Sequence, residues 1–157
     1  MLIDFHTHLD HYPKNKIHTT VECIKKNKIK TIASSCNIKS YLQNIEIAKD
    51  APHLILPTFG IHPSYIEKRF FKMTQMEILN TLEKYLLQSV IIGEIGMDFY
   101  WEKEIPHKTQ ENIFCTLMDH CNKYKKIAVI HTKGAEKEIQ NLLKNFPYAK
   151  PVIHWYD

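Results

Sequence analysis

Six short apolar runs constrain the fold of this 157-residue chain more than any other feature of its sequence. Each run is nearly continuous rather than alternating between apolar and polar residues, a pattern that is typical of strands buried on both faces of a parallel sheet. The predicted strands occupy residues 2–5, 31–34, 54–59, 90–93, 127–131 and 151–155.

The stretches between these strands place apolar residues at helical spacing. The predicted helices occupy residues 18–28, 38–49, 74–88, 107–125 and 135–145. The third helix opens with Thr74 and Glu77, which have the spacing of a capping box. Strands that alternate with helices in this way indicate an α/β fold with a parallel sheet and right-handed crossovers.

Two α/β architectures fit this alternation. A doubly wound dinucleotide-binding sheet needs a glycine-rich first turn, but the first predicted strand runs into His-Thr-His-Leu-Asp and the chain has only 4 glycines. A (β/α)₈ barrel fits the repeat better, although such barrels usually need about 250 residues. We therefore predict one domain over residues 1–157, an incomplete (β/α)₈ TIM-type barrel with about six parallel strands and the intervening helices.

Composition narrows the class of protein further. The apolar runs are too short to cross a bilayer, and the charged, histidine-bearing N-terminus differs from a signal peptide, so we expect a cytoplasmic protein without a membrane segment. The net charge of +4 only weakly favours anionic partners. The four cysteines form no CxxC motif and match no zinc motif; we expect free, mostly buried thiols at Cys23, Cys36, Cys115 and Cys121.

Metal-capable side chains follow five of the six predicted strands. They are His6 and His8 after the first strand, His62 after the third, Glu94 after the fourth, His131 at the fifth and His154 at the sixth. One histidine at a strand end is ordinarily a hydrogen-bonded structural residue. Five strand ends with such residues in register predict a shared centre, because the carboxyl ends of barrel strands meet at one rim. Imidazoles with a carboxylate suit Zn²⁺, Mn²⁺ or a related divalent ion.

Spacing gives some of these residues a more specific expectation. His6 and His8 lie two residues apart on a strand, so both imidazoles point to the same side and can hold one ion. Glu94 follows Gly93, whose missing Cβ allows close backbone approach, and its carboxylate is able to bridge two metal ions. The second strand ends in Ser34-Ser35-Cys36 and supplies no obvious ligand.

Other histidines and aromatic residues receive plainer interpretations. We place five histidines in loops or helices away from the rim: His11, His18, His53, His107 and His120. Aromatic residues cluster after the fourth and sixth strands, at Phe99, Tyr100, Trp101, Trp155 and Tyr156. Such a cluster either stacks on nucleic-acid bases or packs beneath a loop, and the sequence leaves both interpretations open.

The motifs, taken in order, resemble those of the TatD-like metal-dependent hydrolases, which are amidohydrolase-type TIM barrels. The matching segments are DFHTHLD, GIHPSY, IGEIGMDFYW, IAVIHTKGAEKEI and VIHWYD. Their order and spacing match along essentially the whole chain. GEIGMDFY together with GIHP is specific to this family, whereas HxH alone is shared with many metallohydrolases.

The resemblance implies a TatD-like metallohydrolase domain that acts as a nuclease on DNA with two divalent ions, Mg²⁺, Mn²⁺ or Zn²⁺. It implies that His6 and His8 hold one ion and that His131 and His154 hold the other. Glu94 would bridge the two ions as the catalytic carboxylate.

The same resemblance assigns residues to substrate and to support. His62 would lie near the substrate phosphate or support the ligands from behind, and Lys133 would neutralise the substrate phosphate. Asp10 and Asp98 would support the ligand histidines. The family also has a later strand whose aspartate completes the first metal site. That strand is absent from these residues, and Asp157, which directly follows the sixth strand, cannot replace it.

Three functional hypotheses follow. The first is hydrolysis of a phosphodiester by a water that two metal ions activate. The second is a related metallohydrolase that acts on a lactone, an amide or a phosphomonoester. The third is a truncated, non-catalytic remnant or interaction subunit, because an open six-stranded sheet leaves an unpaired edge on each side. The sequence leaves the oligomeric state open.

Overall fold

The computed structural model describes residues 2–154 and contains strands and helices in strict alternation. The strands are β1 (Ile3–Thr7), β2 (Lys30–Ala33), β3 (Ile55–Pro57), β4 (Ile91–Asp98), β5 (Ile127–Lys133) and β6 (Lys150–Ile153). The helices are α1 (Lys14–Asn27), α2 (Ile38–Ala48), α3 (Gln75–Gln88), α4 (His107–Tyr124) and α5 (Glu136–Leu143). Short 3₁₀ turns lie at Leu9–His11, Pro63–Tyr65 and Lys68–Lys72.

All six strands run parallel and neighbour one another in chain order. Two three-stranded sheets, β1-β2-β3 and β4-β5-β6, meet at an isolated parallel bridge between Phe59 and Ile92. There the backbone N–H of Gly93 donates to the carbonyl of Phe59 at 2.8 Å. This order is that of a β/α barrel, so the prediction of six parallel strands from an incomplete TIM-type barrel is confirmed.

The fourth strand is longer than the sequence pattern predicted. It was expected to end at Gly93, but it continues to Asp98 because β5 pairs along it, with Gly96 opposite His131 and Asp98 opposite Lys133. The pairing is tight: a Cβ on Gly96 would lie 1.9 Å from the carbonyl oxygen of His131. Glu94 therefore lies within the strand rather than after its end.

The sixth strand ends earlier than the sequence pattern predicted. It was expected over residues 151–155, but its described part ends at Ile153. Trp155 and Tyr156 of the predicted aromatic cluster, together with Asp157, lie outside the described residues.

The main core lies between β4 and the pair α3 and α4. The predicted stripe on α3 is buried at Ile78, Leu82 and Leu86, and it packs with Phe114 and Leu117 of α4. Burying five large apolar side chains stabilises the fold by about 1.5–3 kcal/mol each. These helices cover the outer face of the strands and leave the carboxyl ends free to form a site.

The membrane and cysteine expectations can be compared with the described residues. Among residues 2–154, no helix has both the length and the apolar character needed to span a bilayer. All four thiols are free; Cys36 and Cys121 are buried, Cys115 is half-buried and Cys23 is exposed.

The capping box of α3 gives a test of the local structure. The hydroxyl of Thr74 accepts from the backbone N–H of Glu77 at 3.3 Å, and the Glu77 carboxylate accepts from the backbone N–H of Thr74 at 2.8 Å. Thr74→Ala removes one side of this exchange, so we expect it to lower the free energy of unfolding by about 1 kcal/mol, measured by urea denaturation. Thr19→Ala, on the exposed surface of α1, is the control and should change stability by less than about 0.5 kcal/mol. Equal unfolding midpoints for Thr74→Ala and the wild type would contradict the capping role.

Candidate metal centre

Five histidines surround one buried carboxylate at the carboxyl ends of the strands. Glu94, in β4, is only 2% exposed. The distances to its Oε2 are 3.5 Å from His6 Nε2 and 3.1 Å from His8 Nε2; those to its Oε1 are 3.1 Å from His131 Nδ1, 2.7 Å from His154 Nε2 and 3.6 Å from His62 Nε2. The structure thus brings together every residue that the sequence proposed as a metal ligand.

The HxH pair at the end of β1 has the geometry that its spacing predicted. The Nε2 atoms of His6 and His8 lie 3.1 Å apart, and both approach the same oxygen of Glu94. Their rings meet edge to face, with centroids 4.8 Å apart. Two imidazole nitrogens that face each other and one carboxylate oxygen form an arrangement suited to a shared cation.

Ser34, at the end of β2, holds both histidines of the pair and was not recognised from the sequence. Its carbonyl oxygen lies 3.2 Å from His8 Nδ1, and its hydroxyl lies 3.0 Å from His6 Nδ1. Because a carbonyl oxygen only accepts, His8 Nδ1 carries the proton and Nε2 of the neutral ring carries the lone pair. The available signal was the position of Ser34. It is a polar residue at a strand end, and the other strands all end in candidate ligands.

Asp98 supports His131 in the same way. Its Oδ2 lies 3.0 Å from His131 Nε2, while Oδ1 accepts from the backbone N–H groups of Tyr100 at 2.9 Å and Trp101 at 2.7 Å. Burial opposes the charged form, but these hydrogen bonds outweigh it and lower the pKa of Asp98. The ionised carboxylate accepts the Nε2 proton of His131, so Nδ1 of the neutral ring presents its lone pair toward Glu94.

Asp10 differs from the supporting role that the resemblance implied. It accepts from Ser40 Oγ at 2.8 Å and from Asn44 Nδ2 at 3.3 Å, and among the described residues it makes no hydrogen bond to His6 or His8. Its influence is indirect, because Asn44 also donates to the carbonyl oxygen of Ser34 at 3.1 Å. Asp10 therefore fastens the turn after β1 to α2.

The protonation of these groups suits a cation. Burial would raise the pKa of Glu94, but its contacts with His131, His154 and His8 outweigh burial and keep that pKa far below its ordinary value. Burial lowers the pKa of His6 and of His62 to about 4 each. At neutral pH the carboxylate is ionised while these two imidazoles are neutral, as metal ligands must be.

The contacts of neutral His8 and His131 with Glu94 also indicate that a metal ion fits this site. Each uses one ring nitrogen to donate to a protein oxygen, and each directs the other nitrogen at a Glu94 oxygen 3.1 Å away. A lone pair does not approach a carboxylate favourably. Protonation of the two imidazoles can relieve this contact. Burial opposes protonation, but the contact with Glu94 outweighs burial and raises the pKa of both histidines. A divalent ion between the groups relieves it equally, and the imidazole–carboxylate donor set is that of Zn²⁺ or Mn²⁺.

The donors fall into two groups that share Glu94. One group is His6, Glu94 and His154, and the other is His62, Glu94 and His131; within each group the donor atoms lie within 4.8 Å of one another. The ring of His154 stacks on that of His6, with centroids 3.8 Å apart. This grouping differs from the implied one, because His62 lies beside His131 and Glu94, and His154 lies beside His6 of the HxH pair.

His62, one of the two proposed substrate residues, lines a cleft of about 410 Å³ that Glu94 also lines. His62 and Trp101 line it, and the ammonium of Lys133 lies 5.2 Å from the ring centroid of Trp101. Tyr100 and Trp101 are exposed, whereas Phe99 stacks on His107 with centroids 3.7 Å apart. Of the aromatic cluster, Phe99 is therefore packing, whereas the side chains of Tyr100 and Trp101 are exposed and lie near the ammonium of Lys133.

The remaining histidines occupy the places expected for them with one exception. His18 and His53 are exposed, and His107 and His120 belong to α4. His11, expected in a loop away from the rim, lies in the 3₁₀ turn after β1, and its ring stacks on that of His8 with centroids 4.8 Å apart. Its position therefore adjoins the candidate centre.

Comparisons with known proteins agree with this geometry. A sequence profile described as TatD related DNase matches residues 3–157. An uncharacterized metal-dependent hydrolase from Buchnera aphidicola subsp. Baizongia pistaciae is 30% identical over 148 residues, which cover 91% of this chain and 54% of that protein. Another from Methanocaldococcus jannaschii is 29% identical over 144 residues, covering 91% and 55%. The chain thus spans about half the length of the curated relatives it matches.

Solved structures show the same fold. A TatD family hydrolase from Entamoeba histolytica superposes with a TM-score of 0.78 at 24% identity, covering 99% of this chain and 58% of that one. The TatD homologue YJJV from Escherichia coli K12 superposes with a TM-score of 0.77 at 16% identity, covering 99% and 61%. The family resemblance read from the motifs is confirmed. Because the family profile matches nearly every residue, the chain belongs to the TatD related DNase family.

Proposed function

We propose that this protein is a divalent-metal-dependent hydrolase and that it cleaves phosphodiester bonds in DNA. The observation that carries the proposal is the buried, ionised carboxylate of Glu94 with imidazole nitrogens of five histidines within 3.6 Å of it. The description of the matching family as DNases supports DNA as the substrate. The names of the relatives support hydrolysis that depends on a metal.

The proposed ligand set follows from the two oxygens of Glu94. His6 and His8 would hold one ion at Oε2, His131 and His154 would hold a second at Oε1, and Glu94 would bridge them. Divalent ions at such a site lower the pKa of a bound water and stabilise negative charge on the phosphate. The ions can be Mg²⁺, Mn²⁺ or Zn²⁺, because the carboxylate suits Mg²⁺ and Mn²⁺ and the imidazoles suit Zn²⁺.

The chain's own residues position the substrate. His62 Nδ1 accepts from the backbone N–H of Ser64 at 3.1 Å, so the proton of the neutral ring is on Nε2, the nitrogen near Glu94. That N–H is placed to donate to a phosphate oxygen in the cleft. Lys133 supplies a positive charge at the rim, where phosphate contacts fix the register of a nucleic acid. The exposed side chains of Tyr100 and Trp101 add aromatic surface at this rim, which would suit contact with bases.

Two alternatives remain separable by experiment. The metal cluster suits a related hydrolase for lactones, amides or phosphomonoesters equally well, and a panel of these substrates with Mn²⁺, Mg²⁺ and Zn²⁺ distinguishes it. A non-catalytic interaction subunit is favoured by the outer strands, where Ile3 of β1 and Ile153 of β6 are exposed at 56% and 36%. Metal-dependent turnover of any substrate by the purified chain argues against that subunit.

Glu94→Gln tests the hydrolase proposal directly. The substitution keeps the shape of the side chain and removes the charge that would hold the ions, so we expect Mn²⁺-dependent cleavage of labelled single-stranded DNA to fall at least about 100-fold. Initial rates measure the effect, and a chelator should abolish wild-type cleavage. Glu138→Gln, on the exposed side of α5, is the matched control and should keep the wild-type rate. Wild-type turnover in Glu94→Gln would refute the bridging role.

Ser34→Ala tests the support of the HxH pair. It removes the hydroxyl bonded to His6 Nδ1 and leaves the carbonyl bonded to His8 in place. We expect Mn²⁺ affinity, measured by isothermal titration calorimetry, to fall about 10–100-fold. Ser35→Ala is the control, because the Ser35 hydroxyl is equally buried but bonds Asn44 rather than a histidine. Equal losses in the two variants would show that general packing, not orientation of His6, causes the effect.

A further inference from the structure

A second group of metal-binding donors adjoins the Glu94 centre. His8, His11 and Cys36 offer one ligand atom each, and these atoms all lie within 4.8 Å of one another. They come from the residue after β1, the 3₁₀ turn that follows, and the loop after β2. Three separate positions in the chain thus place two imidazoles and a thiol together.

The contacts within this group define a small site with a deep end and an open end. Cys36 Sγ lies 3.7 Å from His8 Nδ1, and the Cys36 side chain is buried. His11 is at the surface; its Nε2 lies 3.5 Å from Asp10 Oδ2. A cleft of about 250 Å³, lined by Cys36, His11 and Asp10, opens beside them. A cation entering this cleft meets a carboxylate and an imidazole before it reaches the thiol.

The donors differ in kind from those around Glu94. The Glu94 centre offers nitrogen and oxygen atoms, whereas this group adds sulfur. Thiolate ligands select Zn²⁺ and other soft ions, while Mg²⁺ and Mn²⁺ prefer carboxylate and water oxygens. We propose that Cys36, His11 and His8 form a second metal site that is selective for thiophilic divalent cations such as Zn²⁺ and Cd²⁺, and that competes with the Glu94 centre for His8.

The competition follows from the two nitrogens of His8. In the unliganded arrangement Nδ1 donates to the carbonyl oxygen of Ser34, and Nε2 faces Glu94. A cation held by Cys36 takes the Nδ1 lone pair, so the proton moves from Nδ1 to Nε2 and the bond to Ser34 is lost. Nε2 then has no lone pair left for an ion at Glu94. An ion at one site therefore weakens binding at the other, and the coupling is reciprocal. The new site does not depend on hydrolysis, but this competition rests on the metal centre of the proposed function.

The thiol chemistry also favours a soft ion. Burial, together with the charges of Glu94 and Asp10, raises the pKa of Cys36 well above its ordinary value. The free thiol is therefore protonated at neutral pH, whereas a coordinating metal deprotonates a thiol outright. The S–H bond is replaced by a sulfur–metal bond and the proton passes to solvent, with no oxidation or reduction.

Cadmium titration of the purified chain tests the site through its sulfur-to-metal charge-transfer absorption. We expect the wild type to develop the absorption, Cys36→Ser and Cys36→Ala to lose it, and His11→Ala to bind Cd²⁺ at least about tenfold more weakly. Cys23→Ser removes an exposed thiol of α1 and should leave the absorption unchanged. Far-ultraviolet circular dichroism checks that each variant is folded. Persistence of the absorption in both folded Cys36 variants, or unchanged Cd²⁺ affinity in His11→Ala, would overturn the assignment.

The competition has its own readout in Mn²⁺ binding, followed by electron paramagnetic resonance. Saturating Cd²⁺ should raise the apparent Kd for Mn²⁺ at least about tenfold in the wild type and less in Cys36→Ser. Equal effects of Cd²⁺ on the two proteins would refute the sharing of His8. If neither protein binds Mn²⁺ while the Cys36-dependent Cd²⁺ absorption persists, the proposed hydrolytic centre fails and the thiophilic site stands.

Discussion

The ionised carboxylate of Glu94 is the charge around which the strand ends are organised. A buried carboxylate is costly unless groups of opposite charge or hydrogen-bond donors surround it. Within residues 2–154, the side-chain contacts of Glu94 come from histidines on other strands or loops. The backbone is shaped to the same end. A Cβ at position 60 would lie 2.3 Å from the carbonyl oxygen of Glu94. The segment after β3 can therefore pack this closely against β4 only because residue 60 is glycine.

Much of this arrangement could be predicted from the sequence. Continuous apolar runs located the parallel strands, and a parallel barrel brings the carboxyl ends of its strands to one rim. The two-residue period of a strand placed His6 and His8 on one side. These inferences succeed because they depend only on backbone periodicity and topology, which short stretches of sequence encode.

The parts that escaped prediction depend on contacts between distant residues. The extension of β4 to Asp98 is set by its register with β5, and the role of Ser34 is set by the rotamers of two histidines on a neighbouring strand. The approach of His11 to His8 results from a 3₁₀ turn that the pattern did not reveal. None of these features leaves a periodic signal in the sequence.

The resulting picture is of two adjoining donor sets that meet at His8, one of nitrogen and oxygen around Glu94 and one that includes the thiol of Cys36. The central claim is that Glu94 bridges two ions. Electron paramagnetic resonance of the Mn²⁺-loaded chain, together with its metal content, tests this claim most directly. The account predicts two Mn²⁺ per chain with an exchange-coupled spectrum that Glu94→Gln abolishes. Mn²⁺ bound only as magnetically isolated ions, or no bound Mn²⁺, would contradict it.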